Sequence, residues 1–346
     1  MRTVWIVSEG SPGHLSQSVG LVNALKEKVP LTIETIEGRA QLGGVARRLV
    51  RAWMGARGRP LPRWALENWL GMAPPSPDKA KPDLIVSSGG KSVFAARTLA
   101  ARSGAPYVFL GERKPYRSEW FHTAFTPSPL ETGVNDVPIE MIPTPITPQS
   151  AASAADRWDE RPPGRLWAMI IGGLSASHRY SASDWDALAE GMNRLAREHG
   201  IRWLLTTSRR TGADAEGRLR AVLSAEVLAG AVWWAEKPEK KMAAFLGAAE
   251  WVFVTQDSVT MVTEAVASGR PAVLLRPAEV VFPRDSFLPA YFARLEKAGR
   301  IAWLDISRLE GFNPGQTTLR PLAQSILPGL AEMLIKRLSW ETAVRA

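Results

Sequence analysis

The chain has 346 residues, a formal net charge of +9 and no cysteine, which excludes disulfides, thiolate nucleophiles and cysteine-based metal sites. Its length is sufficient for two domains, and 45% hydrophobic with 22% charged residues is the composition of a globular protein. The four histidines show no metal-ligand spacing, and no apolar run approaches the roughly 20 residues of a membrane span. We therefore expect a soluble, cytoplasmic protein whose positive charge attracts anions.

Short β-branched or aromatic runs recur along the chain and predict buried strands. In chain order they are "TVWIVS", "DLIVSS", "YVFLGE", "AMIIGG", "WLLTTS", "WVFVTQ" and "PAVLL". Segments with helical apolar spacing lie between many of them, such as "SDWDALAEGMNRLAREHG", for which Ser183 is the predicted N-cap. Apolar strands that alternate with helices predict an α/β fold with parallel sheets covered on both faces.

Residues 143–165 contain five prolines and a run of small residues, which predicts a linker. The linker would separate a Rossmann-like N-terminal domain, 1–142, from a C-terminal domain over 166–316. A helical tail over 317–346 follows, which Pro328 should break or kink, and is expected to pack back toward the N-terminal domain. Because open α/β sheets bind ligands at the carboxyl ends of their strands, two such domains facing each other would enclose a cleft.

Two glycine-rich loops follow strands of the N-terminal half. The first, "SEGSPGHLSQSVGL", lets the backbone approach another molecule closely and carries His14. The second, "IVSSGGKS", ends with Lys91 and exposes backbone N–H groups to an anion, although its spacing is not that of a P-loop. Such turns are also common without a ligand, and a histidine at a helix start is either a base or a capping residue.

Loops of the C-terminal half collect hydrogen-bond donors and cations. "IIGGLSASHRYSASD" places Gly172 and Gly173 directly after a strand, with His178 and Arg179 behind them, and "TTSRRTG" adds two arginines at the same sheet edge. Donors and guanidinium groups beside a diglycine suit a pyrophosphate. Alternatively, these charged side chains are merely solvated.

The segment "WVFVTQDSVTMVTEAVASGRPAVLL" predicts a buried strand followed by a helix. Asp257 and Glu264 are seven residues apart, which would place both on one helical face about 10 Å apart along the axis. Glu264 there would accept hydrogen bonds from a ribose diol, while Ser258 and Thr260 would donate to phosphate. The alternative is that Asp257 caps the helix and Glu264 is solvated.

Together these stretches resemble a glycosyltransferase of the two-Rossmann, GT-B type, and more narrowly the family of the plant "elongated mitochondria" fission factor and its bacterial relatives. The most specific match is the DS-x-x-M-x-x-EA-x-x-x-G-x-P pattern with "SRRTG" upstream. The resemblance implies a donor site that binds a nucleotide-diphosphate sugar without a metal or cofactor, with the acid of the last helix on the ribose. Its residues are Gly172, Gly173, Ser175, Arg179, Ser208, Arg209, Arg210, Asp257, Ser258, Thr260 and Glu264.

The resemblance also implies that the N-terminal loops line the acceptor side, with His14 as the catalytic base. The loop residues are Gly10, Ser11, Gly13, Gln17, Ser88, Gly89, Gly90 and Lys91. Members of the family often carry a Pro-x-His-Asp stretch late in the N-terminal domain, whereas this chain reads "FTPSPLETGVND". This departure puts acceptor recognition, or the activity itself, in doubt.

Residues 45–70 combine six arginines and three tryptophans with a single acid. This composition suits either an anionic membrane surface, as for a lipid-linked or cell-envelope acceptor, or a helix that packs its tryptophans in the domain. No RNA-binding motif accompanies it, so nucleic acid is not an expected partner. The sequence thus predicts a metal-independent glycosyltransferase, cytoplasmic or peripheral on the inner face of a membrane. The alternatives are a nucleotide-sugar epimerase of the same fold and a non-catalytic, membrane-associated adaptor.

Overall fold

Each half of the chain folds around its own six-stranded parallel sheet. The computed structural model describes residues 1–37, 43–57, 60–72, 80–128 and 132–340. The chain divides into unit 1, formed by Met1–Pro145 with Ile326–Ala346, and unit 2, formed by Ile146–Ser325. Residues 341–346 of the predicted tail, Arg59 of the basic segment and residues 129–131 of "FTPSPLETGVND" lie outside the described residues.

The strands are β1 (Arg2–Ser8), β2 (Leu31–Glu37), β3 (Leu84–Ser88), β4 (Tyr107–Leu110), β5 (Thr123–Thr126), β6 (Asp136–Pro138), β7 (Leu166–Ile170), β8 (His178–Arg179), β9 (Arg202–Thr206), β10 (Leu228–Val232), β11 (Trp251–Thr255), β12 (Ala272–Arg276), β13 (Glu279–Val280) and β14 (Ile301–Asp305). The α-helices are α1 (Pro12–Lys26), α2 (Gly44–Arg57), α3 (Arg63–Leu70), α4 (Val93–Ser103), α5 (Pro148–Asp156), α6 (Ala182–His199), α7 (Ala213–Val222), α8 (Met242–Ala248), α9 (Val259–Ala267), α10 (Leu288–Lys297) and α11 (Leu327–Arg337).

In unit 1 the strand order is β2-β1-β3-β4-β5-β6, with every neighbouring pair parallel. The end of the chain completes this unit, because α11 packs Leu330 and Leu334 against Leu21 and Leu25 of α1. Of the two predicted effects of Pro328, a break is observed and a kink is not, because the last helix begins only at Leu327. Pro328 lies in the first turn of α11, where its missing N–H leaves no helical hydrogen bond unmade.

In unit 2 the strand order is β10-β9-β7-β11-β12-β14, again all parallel, which is the 3-2-1-4-5-6 order of a Rossmann sheet. Trp167, Trp203 and Phe253 fill its core with edge-to-face and stacked ring contacts. A separate two-stranded antiparallel pair, β8 with β13, follows the loop after β7.

The boundary between the two units, at Pro145 and Ile146, lies within the predicted linker over 143–165, but the prediction that this segment contains no element is wrong, because Pro148–Asp156 form α5. Proline is compatible with the first turn of a helix, and Thr147 and Ser150 form a reciprocal capping box at its start. The small residues serve close packing: a Cβ added to Gly247 of α8 would lie 1.9 Å from the carbonyl oxygen of Ala151. The predicted cap of α6 is also wrong, since Ser181 rather than Ser183 caps it, in a capping box with Asp184.

Candidate functional site

The strand orders fix where each sheet opens toward a ligand. In an open parallel sheet this is the switch point, where the chain departs in opposite directions from two neighbouring strands. In unit 2 these strands are β7 and β11, which pair directly. In unit 1 they are β1 and β3. The loops after these four strands carry the diglycine, Asp257, His14 and the Gly89–Gly90 pair, so the switch points coincide with predicted site residues.

The diglycine after β7 is held from three sides. The Gly172 N–H donates to Thr255 Oγ1 at 2.7 Å, and the Ser208 hydroxyl donates to the Gly172 carbonyl oxygen at 2.6 Å. Gly173 has φ of 141°. A Cβ on Gly173 would lie 2.3 Å from the carbonyl oxygen of Arg210, and one on Gly172 would lie 2.1 Å from Asp257 Oδ2. Both positions therefore require glycine.

Asp257 forms the centre of this arrangement, and its side chain is completely buried. Its carboxylate accepts a 2.9 Å hydrogen bond from the Gly173 N–H and a 2.7 Å bond from the Tyr180 hydroxyl. Arg210 Nη2 lies 2.7 Å from Asp257 Oδ2. Burial and the negative charge of Asp257 raise the pKa of Tyr180 well above its usual value, so the phenol stays protonated and donates. With these partners, Asp257 holds the loop in place.

Asp257 and Glu264 do not share a helical face as expected, because α9 begins only at Val259. Ser258 is its N-cap and accepts from the Met261 N–H, so the alternative in which Asp257 is the cap is wrong as well. Asp257 precedes the helix, while Glu264 lies half-buried within it. Thr260, in the first turn of α9, is also half-buried.

The three arginines predicted to bind the diphosphate have different surroundings. Arg210 is engaged by Asp257 and also donates from Nη1 to the Leu174 carbonyl oxygen at 3.2 Å. Arg179, on β8, is paired with Glu279 of β13 at 2.9 Å. Arg209 is exposed, and its side chain has no hydrogen bond or ion pair with any residue that the structure describes. Of the three, Arg209 alone is uncommitted within that part of the chain.

Ser175 and His178 stabilise the loop between β7 and α6. Ser175 Oγ lies 3.1 Å from His178 Nδ1 and accepts the His178 N–H. His178 is fully buried. Burial lowers its pKa, and the charge of Asp257 opposes this effect only in part. The imidazole is therefore neutral at pH 7 and serves the loop.

Sequence reasoning missed a second support at this edge of the sheet. Glu216 of α7 is 4% exposed, accepts the Thr207 hydroxyl at 2.6 Å and accepts the Ala235 N–H at 3.1 Å. Thr207 Oγ1 in turn accepts the Trp234 N–H at 2.8 Å. These bonds fix the turn after β10, and the Trp234 side chain remains 37% exposed there. In the sequence, the one signal for this role is an acidic residue in the first turn of a helix.

In unit 1, Glu9 and His14 form a carboxylate–imidazole pair. Glu9 Oε1 lies 2.7 Å from His14 Nδ1, and the two side chains are 7% and 40% exposed. Glu9 Oε2 accepts the Lys91 N–H at 2.8 Å. Burial raises the pKa of Glu9, but the hydrogen bond and charge of His14 and the Lys91 amide outweigh burial and hold that pKa below its usual value. Glu9 was not among the predicted site residues, although it lies only five positions before His14 in the same loop.

The predicted acceptor-side residues fall into two groups. Gln17 and Ser88 are buried and hydrogen-bonded to each other, so they join the loops after β1 and β3 from beneath. Gly89 has φ of 85°, and a Cβ there would lie 2.2 Å from His14 Nδ1, which brings the second loop directly against the imidazole. Gly10 also has positive φ, at 81°, next to Ser11, the N-cap of α1. Gly13 and His14 lie in the first turn of α1, and Gly90 and Lys91 are exposed.

Among the described residues, no group of three or more acidic, histidine or cysteine side chains is arranged to hold a metal ion. A search of the same residues for membrane spans finds no helix with the length and apolarity to cross a bilayer.

The two Rossmann-like units correspond to the GT-B fold of nucleotide-sugar enzymes. UDP-GlcNAc 2-epimerase from Neisseria meningitidis, solved with UDP-GlcNAc, is similar with a TM-score of 0.56 and 10% identity over 98% of this chain and 100% of that chain. The Methanocaldococcus jannaschii UDP-GlcNAc 2-epimerase, in complex with UDP-GlcNAc and UDP, has a TM-score of 0.53 and 11% identity over 97% and 99% of the two chains. The Escherichia coli ADP-heptose LPS heptosyltransferase II has a TM-score of 0.47 and 14% identity over 98% and 99%.

The family is narrower than the fold. The family model described as mitochondrial fission ELM1 matches residues 12–327, and the chain belongs to this family. No functionally curated protein matches the sequence. The family confirms the sequence-based resemblance, and the two similar epimerase structures confirm the predicted fold class.

Proposed function

We propose that the protein is a metal-independent glycosyltransferase that moves a sugar from a nucleotide-diphosphate donor to an acceptor hydroxyl. The observation that carries this proposal is the Glu9–His14 pair at the switch point of unit 1. Because Nδ1 of His14 donates to the carboxylate, Nε2 is the nitrogen that accepts a proton. A carboxylate-oriented imidazole is the usual form of a general base acting on a hydroxyl.

The donor belongs to unit 2 in this proposal. The diglycine held by Asp257 and Ser208 brings backbone close to the diphosphate, and the start of α9 at Ser258 and Thr260 adds donors. The guanidinium of Arg209 offsets the charge that develops on the leaving diphosphate, a role that a metal ion has in other enzymes. Glu264 accepts hydrogen bonds from the ribose hydroxyls.

A calorimetric panel of UDP, GDP, ADP and CMP sugars tests the donor site. Glu264→Gln is expected to lower the affinity for the nucleotide by about tenfold, because a charged hydrogen bond to the ribose is lost. A 2′,3′-dideoxy analogue should bind Glu264→Gln and the parent protein equally. Glu296→Gln, exposed on α10, is the matched control and should bind like the parent. If no nucleotide sugar of the panel binds, the proposal is overturned.

Incubation with the donor alone separates transfer from epimerisation. Two of the three similar solved structures named above are epimerases. Their sequence identities of 10% and 11% to this chain support only the fold. We expect no isomer of the sugar to form without an acceptor. If isomerised donor forms in that reaction, the protein is an epimerase.

An anionic membrane surface is a second candidate partner, consistent with a lipid-linked acceptor or with an adaptor role. The supporting observation is that Val45, Leu49 and Trp64 are 73%, 66% and 54% exposed on α2 and α3, beside exposed Arg48. Exposed apolar side chains among arginines suit an acidic bilayer. Vesicles with phosphatidylglycerol should sediment the parent protein, whereas Leu49→Ser/Trp64→Ser should remain in the supernatant. Equal sedimentation of both proteins contradicts this role.

A further inference from the structure

Helix α2 carries a basic face. The helix carries four arginines and no acid. Its Val50 and Met54 are buried in the core cluster that contains Tyr116 and Trp120. Residues 47, 51 and 54 follow the i, i+4, i+7 spacing of one helical face, so Arg47 and Arg51 lie on the side of the helix that carries Met54.

Tyr116 connects this face to the candidate acceptor loop. Its hydroxyl donates to the Gly90 carbonyl oxygen at 2.6 Å, and Gly90 separates Gly89, which abuts His14, from Lys91. Burial raises the pKa of Tyr116, while the positive charges of Arg47 and Arg51 act to lower it and the charge of Glu9 acts to raise it. The two guanidinium groups and the Glu9 carboxylate therefore act electrostatically on the same phenol.

The cations of this cluster have no ion-pair partner in the part of the chain that the structure describes. The side chains of Arg47, Arg51 and Lys91 form no ion pair or hydrogen bond with the residues in the described ranges. Arg47 Nε is buried within that part of the chain without an acceptor. Glu9 is a nearby acid that pairs with His14 and accepts the Lys91 N–H, and its charge also interacts with the charge of Lys91. A buried guanidinium N–H without an acceptor is costly, so an anionic ligand that supplies oxygens would stabilise the cluster.

We propose that Arg47, Arg51 and Lys91 bind a phosphate group of the acceptor, next to the Glu9–His14 pair. The inference rests on the proposed function and narrows its acceptor to a phosphate-bearing molecule. Guanidinium groups bind phosphate through paired N–H donors, and the lysine adds a point charge. The phosphate belongs either to a soluble phosphorylated compound or to a lipid headgroup, and both present the same oxygens.

Arginine-selective dicarbonyl labelling, read peptide by peptide by mass spectrometry, tests the site in the full chain. The probes are inorganic pyrophosphate, and vesicles of phosphatidylcholine with or without phosphatidylglycerol. At twice its dissociation constant, a probe should slow the labelling of Arg47 and Arg51 by about threefold. Arg48, exposed on the same helix, is the matched control and should label at an unchanged rate in pyrophosphate. Protection by pyrophosphate identifies a soluble source, and protection by acidic vesicles alone identifies a lipid headgroup.

A second variant pair keeps the assay specific for the cluster. Lys91→Met should raise the pyrophosphate concentration that gives half-protection of Arg47 and Arg51 by about fivefold, since a charged hydrogen bond is lost. Lys26→Met, exposed on α1, should leave it unchanged. The inference is overturned if neither probe protects Arg47 and Arg51 from labelling. It is also overturned if pyrophosphate protects Arg48 as strongly as it protects Arg47 and Arg51. Nucleotide protection of Arg209 in the same experiment reports on the donor site separately, so either idea can fail alone.

Discussion

Arg210 Nη2 lies 2.7 Å from Asp257 Oδ2, in an ion pair whose carboxylate is completely buried and whose guanidinium is 35% exposed. The same carboxylate binds the Gly173 N–H, so the pair fixes the turn after β7. We expect Asp257→Asn to lower the free energy of unfolding by about 2 kcal/mol, because one partner of a largely buried pair is removed. The measurement is a urea denaturation curve for each protein.

Arg165 and Glu250 supply the control for that pair. They lie 2.8 Å apart but are 54% and 43% exposed, so solvent screens them. Glu250→Gln should change the free energy of unfolding by less than about 1 kcal/mol. An equal loss of stability in both variants would show that burial does not strengthen the ion pair of Asp257.

The diglycine gives a steric prediction. Gly172→Ala brings a Cβ within 2.1 Å of Asp257 Oδ2, and Gly173→Ala brings one within 2.3 Å of the Arg210 carbonyl oxygen. Neither neighbour has room to retreat, so each substitution should lower the melting temperature by about 2–12 °C, which is the effect of a loss of 1–3 kcal/mol in a domain of this size. Differential scanning calorimetry on both variants checks this result.

Gly217 of α7 is the matched control for the steric effect. A Cβ at Gly217 meets no atom within 4 Å. Gly217→Ala should stabilise the protein by about 0.5–1 kcal/mol, because alanine loses less backbone entropy in a helix. Destabilisation by this substitution as well would point to a general intolerance of alanine.

The sequence predicts the central strands better than the edges of the two sheets. β1, β3, β7 and β11 are enclosed by neighbours and read as continuous apolar runs. The strands without a predicted run include all four sheet edges, β2, β6, β10 and β14. These edge strands are partly exposed, so polar and small residues interrupt their pattern, as in the "LTIETIE" of β2.

The candidate site is predictable by residue type but not by partnership. The glycines, Asp257 and His14 stand out because each follows a strand that ends at the ligand edge. What each contacts depends on residues far along the chain: Asp257 binds Gly173 across 84 positions, and Glu9 binds the Lys91 amide across 82. No local pattern specifies such contacts, and therefore the support role of Asp257 and the bond from Lys91 to Glu9 emerge only from the fold.

The Glu9–His14 pair gives a pH prediction. The pKa of Glu9 lies below its ordinary value of 4.5 in the folded protein, so the folded state binds fewer protons than the unfolded state as the pH falls through this range. Its stabilising contribution is complete above pH 4.5 and is lost as the pH falls through the folded pKa. Glu9→Gln should therefore lower the melting temperature most near neutral pH, with a difference that shrinks on acidification.

His14→Gln separates the hydrogen bond from other causes of that pH dependence. The substitution removes the hydrogen bond and the charge that lower the pKa of Glu9. The acid loss of stability should then begin at a higher pH than in the parent protein. In the Glu9→Gln background His14→Gln should have no such effect. Parallel pH curves for the parent and His14→Gln would contradict the pairing.

The arginines distinguish the structure-based donor site from the one expected from sequence. Arg209 is uncommitted within the described part of the chain, whereas Arg179 is held by Glu279 and Arg210 by Asp257. We expect Arg209→Ala to lower the affinity for a nucleoside diphosphate by about tenfold and to reduce the salt dependence of binding, because a direct phosphate contact is lost. Arg179→Ala should change the affinity by less than about twofold, since its charge is already offset by Glu279 and screened by solvent. Calorimetric titrations at two salt concentrations measure both effects. A larger loss in Arg179→Ala would place the diphosphate beside β8, away from the turn that Asp257 holds.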